Sequence, residues 1–402
     1  MSIEQRAGGQ AWKVRMTGRD TAEPHRASTP LELLFDLTFV VAVGRVATEL
    51  AGSIAEDRPW HGLASYLMVF FAIWWAWVNF TWFASAFDTD DVGYRLLTLL
   101  QMAGVLVLAA NIGSAFEHGD YAGLVLGYVI MRVAMVAQWL RVAFQDERYR
   151  QVGLRYAGGV FTVQIGWVLR LLLPSSLSVV SFLVLVALEF AVPAWAERSN
   201  STSWHPRHIT ERYGLFTLIV LGECVLAASN ALEGAHAAHS SVAGLILLGA
   251  GGLVLLFALW WLYYLRDPAD ALGEQRNAAA FRWGYGHYGV FGSLAAIGAG
   301  LEVAAEAVSI HVEAPDLLVS YAVAVPICGY LFLLWFLHRS LIERPCPSLA
   351  TTSVAMVATL LIAGLGSTLP LAGAVAALCL PSAVLVAVSV SQLAGQLGLK
   401  HP

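Results

Sequence analysis

Ionisable side chains set inside long apolar runs are the features of this chain that could do chemistry. Glu32 and Asp36 stand four residues apart, on one face of a helix, in a run that opens at Leu31. Arg45 follows in the same run, and Glu223 sits in the middle of another, Tyr213–Leu232. Arg132 and Gln138 fall in a third run and Glu189 in a fourth, while Asn79 and Asn111 add uncharged polar groups. In hydrocarbon a charged side chain costs about 2.5–3.5 kcal/mol or more unless it is paired or hydrated. Each therefore asks for a partner or for water. A carboxylate can take up a proton or hold a cation, whereas an arginine stays charged. Asp36, Arg45, Arg132 and Glu223 are the candidates for a polar path or an ion or substrate site.

A second group clusters at one end of the same runs. His208 and Glu211 are three residues apart and share a helical face, with Arg212 beside them and His205 just before. Glu32 and His287 are expected at a similar depth. As metal ligands these would be a mixed set of two or three, with neither an HExxH pattern nor paired cysteines. A hydrogen-bond network of Glu32, His208, Glu211, Arg212 and His287 is the preferred reading, and no metal or cofactor is expected. Glu32 also has a structural role available, because Thr29-Pro30-Leu31-Glu32 is a capping box with proline at the first helical position. Asp36 lies ~9 Å beyond Pro30 at 1.5 Å per residue, too deep for capping. Glu302 and Glu306 are i,i+4 near the outer end of their run. His287 lies among Gly284, Gly286, Gly289 and Gly292, a pattern of close helix packing in which a satisfied packing histidine is preferred over a titrating one. No catalytic residue is assigned.

The elements that must position these groups follow from composition. Of 402 residues, 58% are hydrophobic and 13% charged, against about 25% charged in soluble domains. Mean hydropathy is +0.66. A spanning helix needs ~20 mainly apolar residues, and twelve windows qualify, from Leu31–Ala51 to Ala372–Leu393. The third is Leu96–Ala115 and the fifth Leu154–Leu173. With the N-terminus inside, 19 of the 23 Lys and Arg residues fall on the cytoplasmic side, as the positive-inside rule requires. No signal peptide precedes Leu31, and the four cysteines lack ligand or disulfide spacing. No Walker loop, dinucleotide-binding glycine pattern or nucleophile elbow is present, and nucleic acid is not an expected partner.

The chain then repeats itself. Phe71-Ala72-Ile73-Trp74-Trp75 returns as Phe257-Ala258-Leu259-Trp260-Trp261, Tyr94-Arg95 as Phe281-Arg282, Glu32 as Glu211, and Pro174 as Pro370. The expected fold class is an all-α integral membrane protein with about twelve transmembrane helices as two parallel six-helix repeats. Its divisions are a cytoplasmic arm (1–30), a first repeat (31–198), a cytoplasmic linker (199–212), a second repeat (213–396) and a cytoplasmic tail (397–402). Parallel repeats are common in secondary transporters, whose sites lie between the halves. In the repeat register Glu223 matches Gly44, so Glu223 and Arg45 offer opposite charges at nearly one depth. An ion pair between them would be a structural clasp or a gate.

Two segments carry a family resemblance. The first run opens Thr29-Pro30-Leu31-Glu32-Leu33-Leu34-Phe35-Asp36-Leu37, and the seventh reads Glu211-Arg212-Tyr213-Gly214-Leu215-Phe216 with Leu221-Gly222-Glu223 further on. Together they resemble the bacterial low temperature requirement A (LtrA) family over nearly the whole chain. Cys224 departs from that pattern, where a small hydroxyl residue is expected. The resemblance implies an inner-membrane protein linked to growth in the cold, and brings no reaction or substrate with it. The leading expectation is a secondary transporter or ion-coupled permease for a small solute or ion, embedded in the lipid bilayer. The alternatives are a membrane enzyme on lipid or isoprenoid groups, using Asp36, His208 and Glu211, and a non-catalytic envelope protein for cold tolerance.

Overall fold

The computed structural model describes residues 12–20, 23, 26–237, 242–274, 278–309, 312–341 and 346–396. Gly8 and Gly9 of the N-terminal arm, the tail 397–402 with Lys400, and Arg6, Arg276 and Arg344 lie outside the described residues. The described residues are helical, without strands. In chain order the helices are α1 (Pro30–Ala55), α2 (Pro59–Phe87), α3 (Val92–Ala110), α4 (Ile112–His118), α5 (Ala122–Gln145), α6 (Arg150–Arg170), α7 (Ser178–Ala196) and α8 (Pro206–Ala237). They continue as α9 (Val242–Tyr264), α10 (Ala269–Glu274), α11 (Ala278–Ser309), α12 (Asp316–Leu341), α13 (Leu349–Gly364), α14 (Leu371–Ala377) and α15 (Cys379–Gln396). Nine helical stretches among the described residues are long and apolar enough to cross a membrane. α1, α6 and α8, where the sequence places three further spans, are not among the nine. Each is still long enough to cross ~30 Å of hydrocarbon at 1.5 Å per residue.

Local sequence sets the helix ends. The capping box forms in both directions: the Thr29 amide donates to Glu32 Oε2 at 2.7 Å, and the Glu32 amide donates to Thr29 Oγ1 at 3.3 Å. Asp91 caps α3 by accepting from the Tyr94 amide at 2.9 Å, and Ser348 caps α13 through the Thr351 amide. The expected third span, Leu96–Ala115, is interrupted at Asn111. There the side-chain amide donates to the Val107 carbonyl at 2.7 Å, drawing it into a local turn between α3 and α4. Gly119, with φ of 66°, ends α4 in the left-handed region that favours glycine. The expected twelfth span is divided at Leu378 into α14 and α15.

Two compact units emerge. Unit 1 comprises Met1–Ala42 and Ala72–Ile209, and unit 2 comprises Val43–Phe71 and Thr210–Pro402. The halves of the chain thus separate, except that the hairpin Val43–Phe71 goes with the second. Its contacts explain why. Tyr66 Oη donates to the Gly292 carbonyl at 2.6 Å, Tyr288 Oη donates to the Leu67 carbonyl at 2.8 Å, and the Glu313 and Ala314 amides donate to the Ala55 carbonyl.

Within unit 1, α3, α5, α6 and α7 pack in sequence. α3 and α5 meet through facing glycines: a methyl at Gly127 would lie 2.5 Å from the Leu108 nitrogen and 2.6 Å from the Gly104 carbonyl oxygen. Small residues let helix backbones approach this closely in lipid, where no hydrophobic effect drives helices together. α5 and α6 are joined by the stacked rings of Trp139 and Tyr156, 4.0 Å apart.

The described residues of the N-terminal segment, 12–20, 23 and 26–29, form a strap. Its amides at Val14, Met16, Gly18 and Arg19 donate to Asp91 Oδ2, Gln145 Oε1, Asp146 Oδ2 and the Ala86 carbonyl at 2.8–3.0 Å. The strap therefore ties together the end of α2, the start of α3 and the end of α5. Substituting valine at Gly127 should lower the thermal midpoint of the purified protein by the equivalent of about 1–3 kcal/mol of overpacking. Alanine at Gly158, where an added methyl meets nothing within 4 Å, should leave it unchanged. Thermal unfolding of both variants in detergent provides the comparison.

Candidate functional site

Among the described residues of unit 1, the buried Glu189, Arg132, Glu32 and Arg26 have charged partners. Glu189, near the middle of α7, is 2% exposed. Its Oε2 accepts from Trp75 Nε1 at 2.8 Å, and its Oε1 accepts from Tyr128 Oη at 2.9 Å and Trp167 Nε1 at 3.1 Å. Arg132 Nη2 stands 3.6 Å from the same Oε1 and also donates to Tyr128 Oη. A carboxylate taken out of water needs this many donors, because Coulomb attraction to one cation rarely repays its desolvation. Arg132, a sequence candidate for a polar path, is buried and paired with Glu189 in this cluster. One turn or more along, Gln138 bridges Gln101 and Thr98 at 3.4 Å each. The sequence marked Arg132, Gln138 and Glu189 but not the indole and phenol donors, which are lost among 14 Trp and 13 Tyr residues.

A second cluster lies beneath the strap. Glu32 and His208 are both fully buried, with His208 Nε2 3.1 Å from Glu32 Oε1 and Arg26 Nη2 3.8 Å from it. Arg26 is also a helix cap, since its guanidinium donates to the carbonyls of Ala84 and Ser85 at the end of α2. Burial pulls the Arg26 pKa below its ordinary value. His205 lies alongside: its amide donates to Ser85 Oγ at 3.0 Å and its Nε2 is 2.9 Å from the Glu23 carbonyl. Asp36 is buried one turn deeper and accepts from Trp77 Nε1 at 2.7 Å. Glu32 and His208 are thus brought together. Arg26 and Trp77 are partners that no spacing rule marks.

Unit 2 holds the remaining candidates. His287 is enclosed by the rings of Tyr213, Trp283 and Phe291 at 4.3–5.2 Å. Its Nδ1 is 2.7 Å from the Trp283 carbonyl and its Nε2 3.1 Å from Tyr263 Oη. A carbonyl only accepts, so Nδ1 carries a proton, and with the phenol at Nε2 both ring nitrogens have a hydrogen-bond partner. Arg212 is fully buried, whereas Glu211 is exposed. Glu32 and Glu211, equivalent in the repeat register, therefore occupy opposite environments. Among the described residues, no group of three or more His, Cys, Asp or Glu side chains could hold a metal ion.

Arg45 takes a different partner from the one its depth suggests. Its Nη2 pairs with Glu49 Oε1 at 3.0 Å, one turn further along α1, and its side chain is 52% exposed. The i,i+4 spacing makes this contact available without any tertiary packing. Glu223 instead lies over Gly44, where an added methyl would come 2.5 Å from its Oε2. The carboxylate is partly exposed, and among the described residues it has neither a hydrogen bond nor an ion pair. Nearby on the same turns of α1, Thr48 Oγ1 reaches Glu302 Oε2 at 3.5 Å. Glu302 and Glu306 are likewise partly exposed. Cys224, beside Glu223, is buried and its thiol donates to the Leu294 carbonyl at 3.3 Å, the contact a small hydroxyl would make.

Replacing Glu189 by leucine should destabilise the protein by about 3–5 kcal/mol, because Arg132 would be left as an uncompensated buried charge. Adding Arg132→Met to that variant should restore much of the loss. Thermal midpoints of the two single variants and the double one give the coupling, and additive losses would refute the cage.

The family model for the bacterial low temperature requirement A protein (LtrA) matches residues 27–391. An uncharacterized protein of Rhizobium meliloti (strain 1021) is 25% identical over 293 residues, which is 69% of each chain. The matched region takes in the strap's last residues, the capping box, the Glu189 cage and the acidic residues of unit 2 alike. The chain belongs to the bacterial low temperature requirement A (LtrA) family.

Proposed function

We propose that this LtrA protein is a multi-pass protein of the bacterial inner membrane that moves a small solute or ion, with Glu223 as the group that binds or releases the coupled cation or proton. The observation that carries this reading is the contrast between two carboxylates set in long helices. Glu189 has three hydrogen-bond donors and an arginine. Glu223 is partly exposed and has glycine rather than a donor against it, while Arg45–Glu49 and Thr48–Glu302 contacts lie further along α1 from Gly44. A carboxylate that deep in a membrane protein is stable only if water reaches it. A partly exposed carboxylate without a fixed donor suits the binding and release of a proton or a small cation.

The proposed topology has twelve spans in two parallel six-helix repeats, with both termini in the cytoplasm. It is supported by the distribution of basic residues, 19 of 23 on one side, and by the repeated motifs. α1, α6 and α8 complete the nine apolar stretches to twelve. The enzyme reading is less favoured because Asp36 and His208 are fully buried and Glu211 lies apart in exposure. A group acting on a lipid headgroup would have to meet it at the surface.

Reconstituted into proteoliposomes and screened for pH- or potential-driven flux of common cations and small solutes, the protein should show a signal that Glu223→Gln abolishes. Gly44→Ala, which pushes a methyl into the carboxylate, should reduce that signal several-fold, whereas Gly52→Ala, whose added methyl meets nothing within 4 Å, should not. Flux that is absent in the native protein, or indifferent to Glu223→Gln, would count against the proposal.

A further inference from the structure

Two kinds of cation stand at the strap end of unit 1. Arg19, Arg26, Arg95 and Arg141 each meet a carboxylate, on Glu23, Glu32, Asp90 and Asp91 respectively. Lys13, Arg15, Arg148 and Arg150 are exposed, and among the described residues none of the four has an ion pair. Contacts of the strap gather them into one patch. Arg15 Nε donates to the Gln145 carbonyl at 2.6 Å, the Gly18 amide donates to Asp146 Oδ2 at 2.9 Å, and Gly18 lies against the Tyr149 ring. Residues 15–18 thus run beside 145–149, with Lys13 before them and Arg148 and Arg150 on the far side. Asp146 is taken up by the amides of Gly18 and Arg148, and Glu147 is exposed. Four cations against these two carboxylates leave the patch positive.

The patch sits where two apolar stripes end. Leu126, Val133 and Phe144 are exposed along α5, and Leu154, Phe161 and Ile165 along α6. Each set is spaced by close to whole helical turns and so forms a single outward stripe. Arg148 follows Phe144, the end of the first stripe, by four residues. Arg150 precedes Leu154, the start of the second, by one turn of α6. Trp12, 84% exposed, stands next to Lys13. An indole and a row of basic side chains bordering an apolar stripe are the groups that settle at the headgroup level of a bilayer.

We propose that this patch binds the headgroups of anionic phospholipids, and that the bound lipid holds the strap onto the ends of α3 and α5. The inference rests on the membrane embedding of the proposed function and on nothing about transport. Arg15 Nε is engaged by the Gln145 carbonyl, which leaves the two terminal nitrogens for a phosphate. A guanidinium fork can meet two phosphate oxygens at once. A zwitterionic headgroup cancels its phosphate charge with its own cation, whereas an anionic one does not, so lipid of net negative charge is selected. Lys13 and Arg15 belong to the strap, Arg148 and Arg150 to the junction of α5 and α6. One anionic surface under both draws the strap against that junction. Each basic residue near such a surface contributes about fivefold in affinity, and salt screens the effect.

Hydrogen–deuterium exchange of the full-length protein tests this in nanodiscs of phosphatidylcholine with and without phosphatidylglycerol, at one pH and low salt. Protection of the Val14, Met16 and Gly18 amides should rise about fivefold or more when the anionic lipid is present, and the gain should shrink at high salt. The triple variant Lys13→Gln, Arg148→Gln, Arg150→Gln removes side chains that make no hydrogen bond among the described residues. Its strap should be protected like the native one in neutral lipid and should lose the gain in anionic lipid. Arg58→Gln, at an exposed arginine already paired with Glu56, should keep the gain. The proposal is overturned if protection is the same in both lipids, if the triple variant keeps the gain, or if inorganic phosphate added to neutral nanodiscs reproduces it. No flux is measured, so this inference can fail while transport stands, and the reverse.

Discussion

A charge within apolar helices must be satisfied from inside the protein or by water, and unit 1 is organised around the first solution. Glu189 can remain in the centre of α7 because α2, α5 and α6 each deliver a donor to it. That requirement fixes the rotation of four helices about their axes at once. Trp75, Tyr128 and Trp167 must all face one point, so the tight glycine contact of α3 with α5 and the stacked rings of Trp139 and Tyr156 follow from the same orientation. The repeat of buried residues on α6, at Gly153, Tyr156, Ala157, Val160, Gln164 and Trp167, is the face that this geometry selects.

The same rule acts at the strap end of unit 1, with a different outcome. There Glu32 is shared between capping its own helix and pairing with His208 and Arg26. One carboxylate thus joins α1, the start of α8 and the strap. Arg26 in turn closes α2 by donating to its terminal carbonyls, which otherwise lack partners. The strap is therefore part of how the helix ends are satisfied. Buried carboxylates and arginines at a helix end are costly to expose singly, which makes the docked strap a cooperative unit.

Much of this was legible in the sequence, and what was not has physical reasons. The capping box is a local pattern, and it forms as its spacing dictates. Apolar length predicted where the helices run, with misjudged continuity at Asn111 and Leu378, since a break inside an apolar run changes neither composition nor length. The partner of Arg45 was missed because depth along two helices says nothing about rotation, whereas Glu49 was already within reach on the same helix. The strap left no periodic signal, because its hydrogen bonds are made by backbone amides to side chains 77 to 129 residues away. Trp75, Tyr128 and Trp167 were hidden by abundance: in so aromatic a chain nothing distinguishes a donor from a packing ring.

The proposed transport reading turns on the contrast between Glu223 and Glu189. Both are glutamates set within long, largely hydrophobic runs, and composition treats them alike. Their surroundings differ in the one respect that matters for moving a proton or a cation. Three fixed donors and an arginine hold the Glu189 anion in place, and releasing or neutralising it would break a four-helix arrangement. Opposite Glu223 stands the bare backbone of Gly44, so its charge state can change without undoing a hydrogen bond in the described structure.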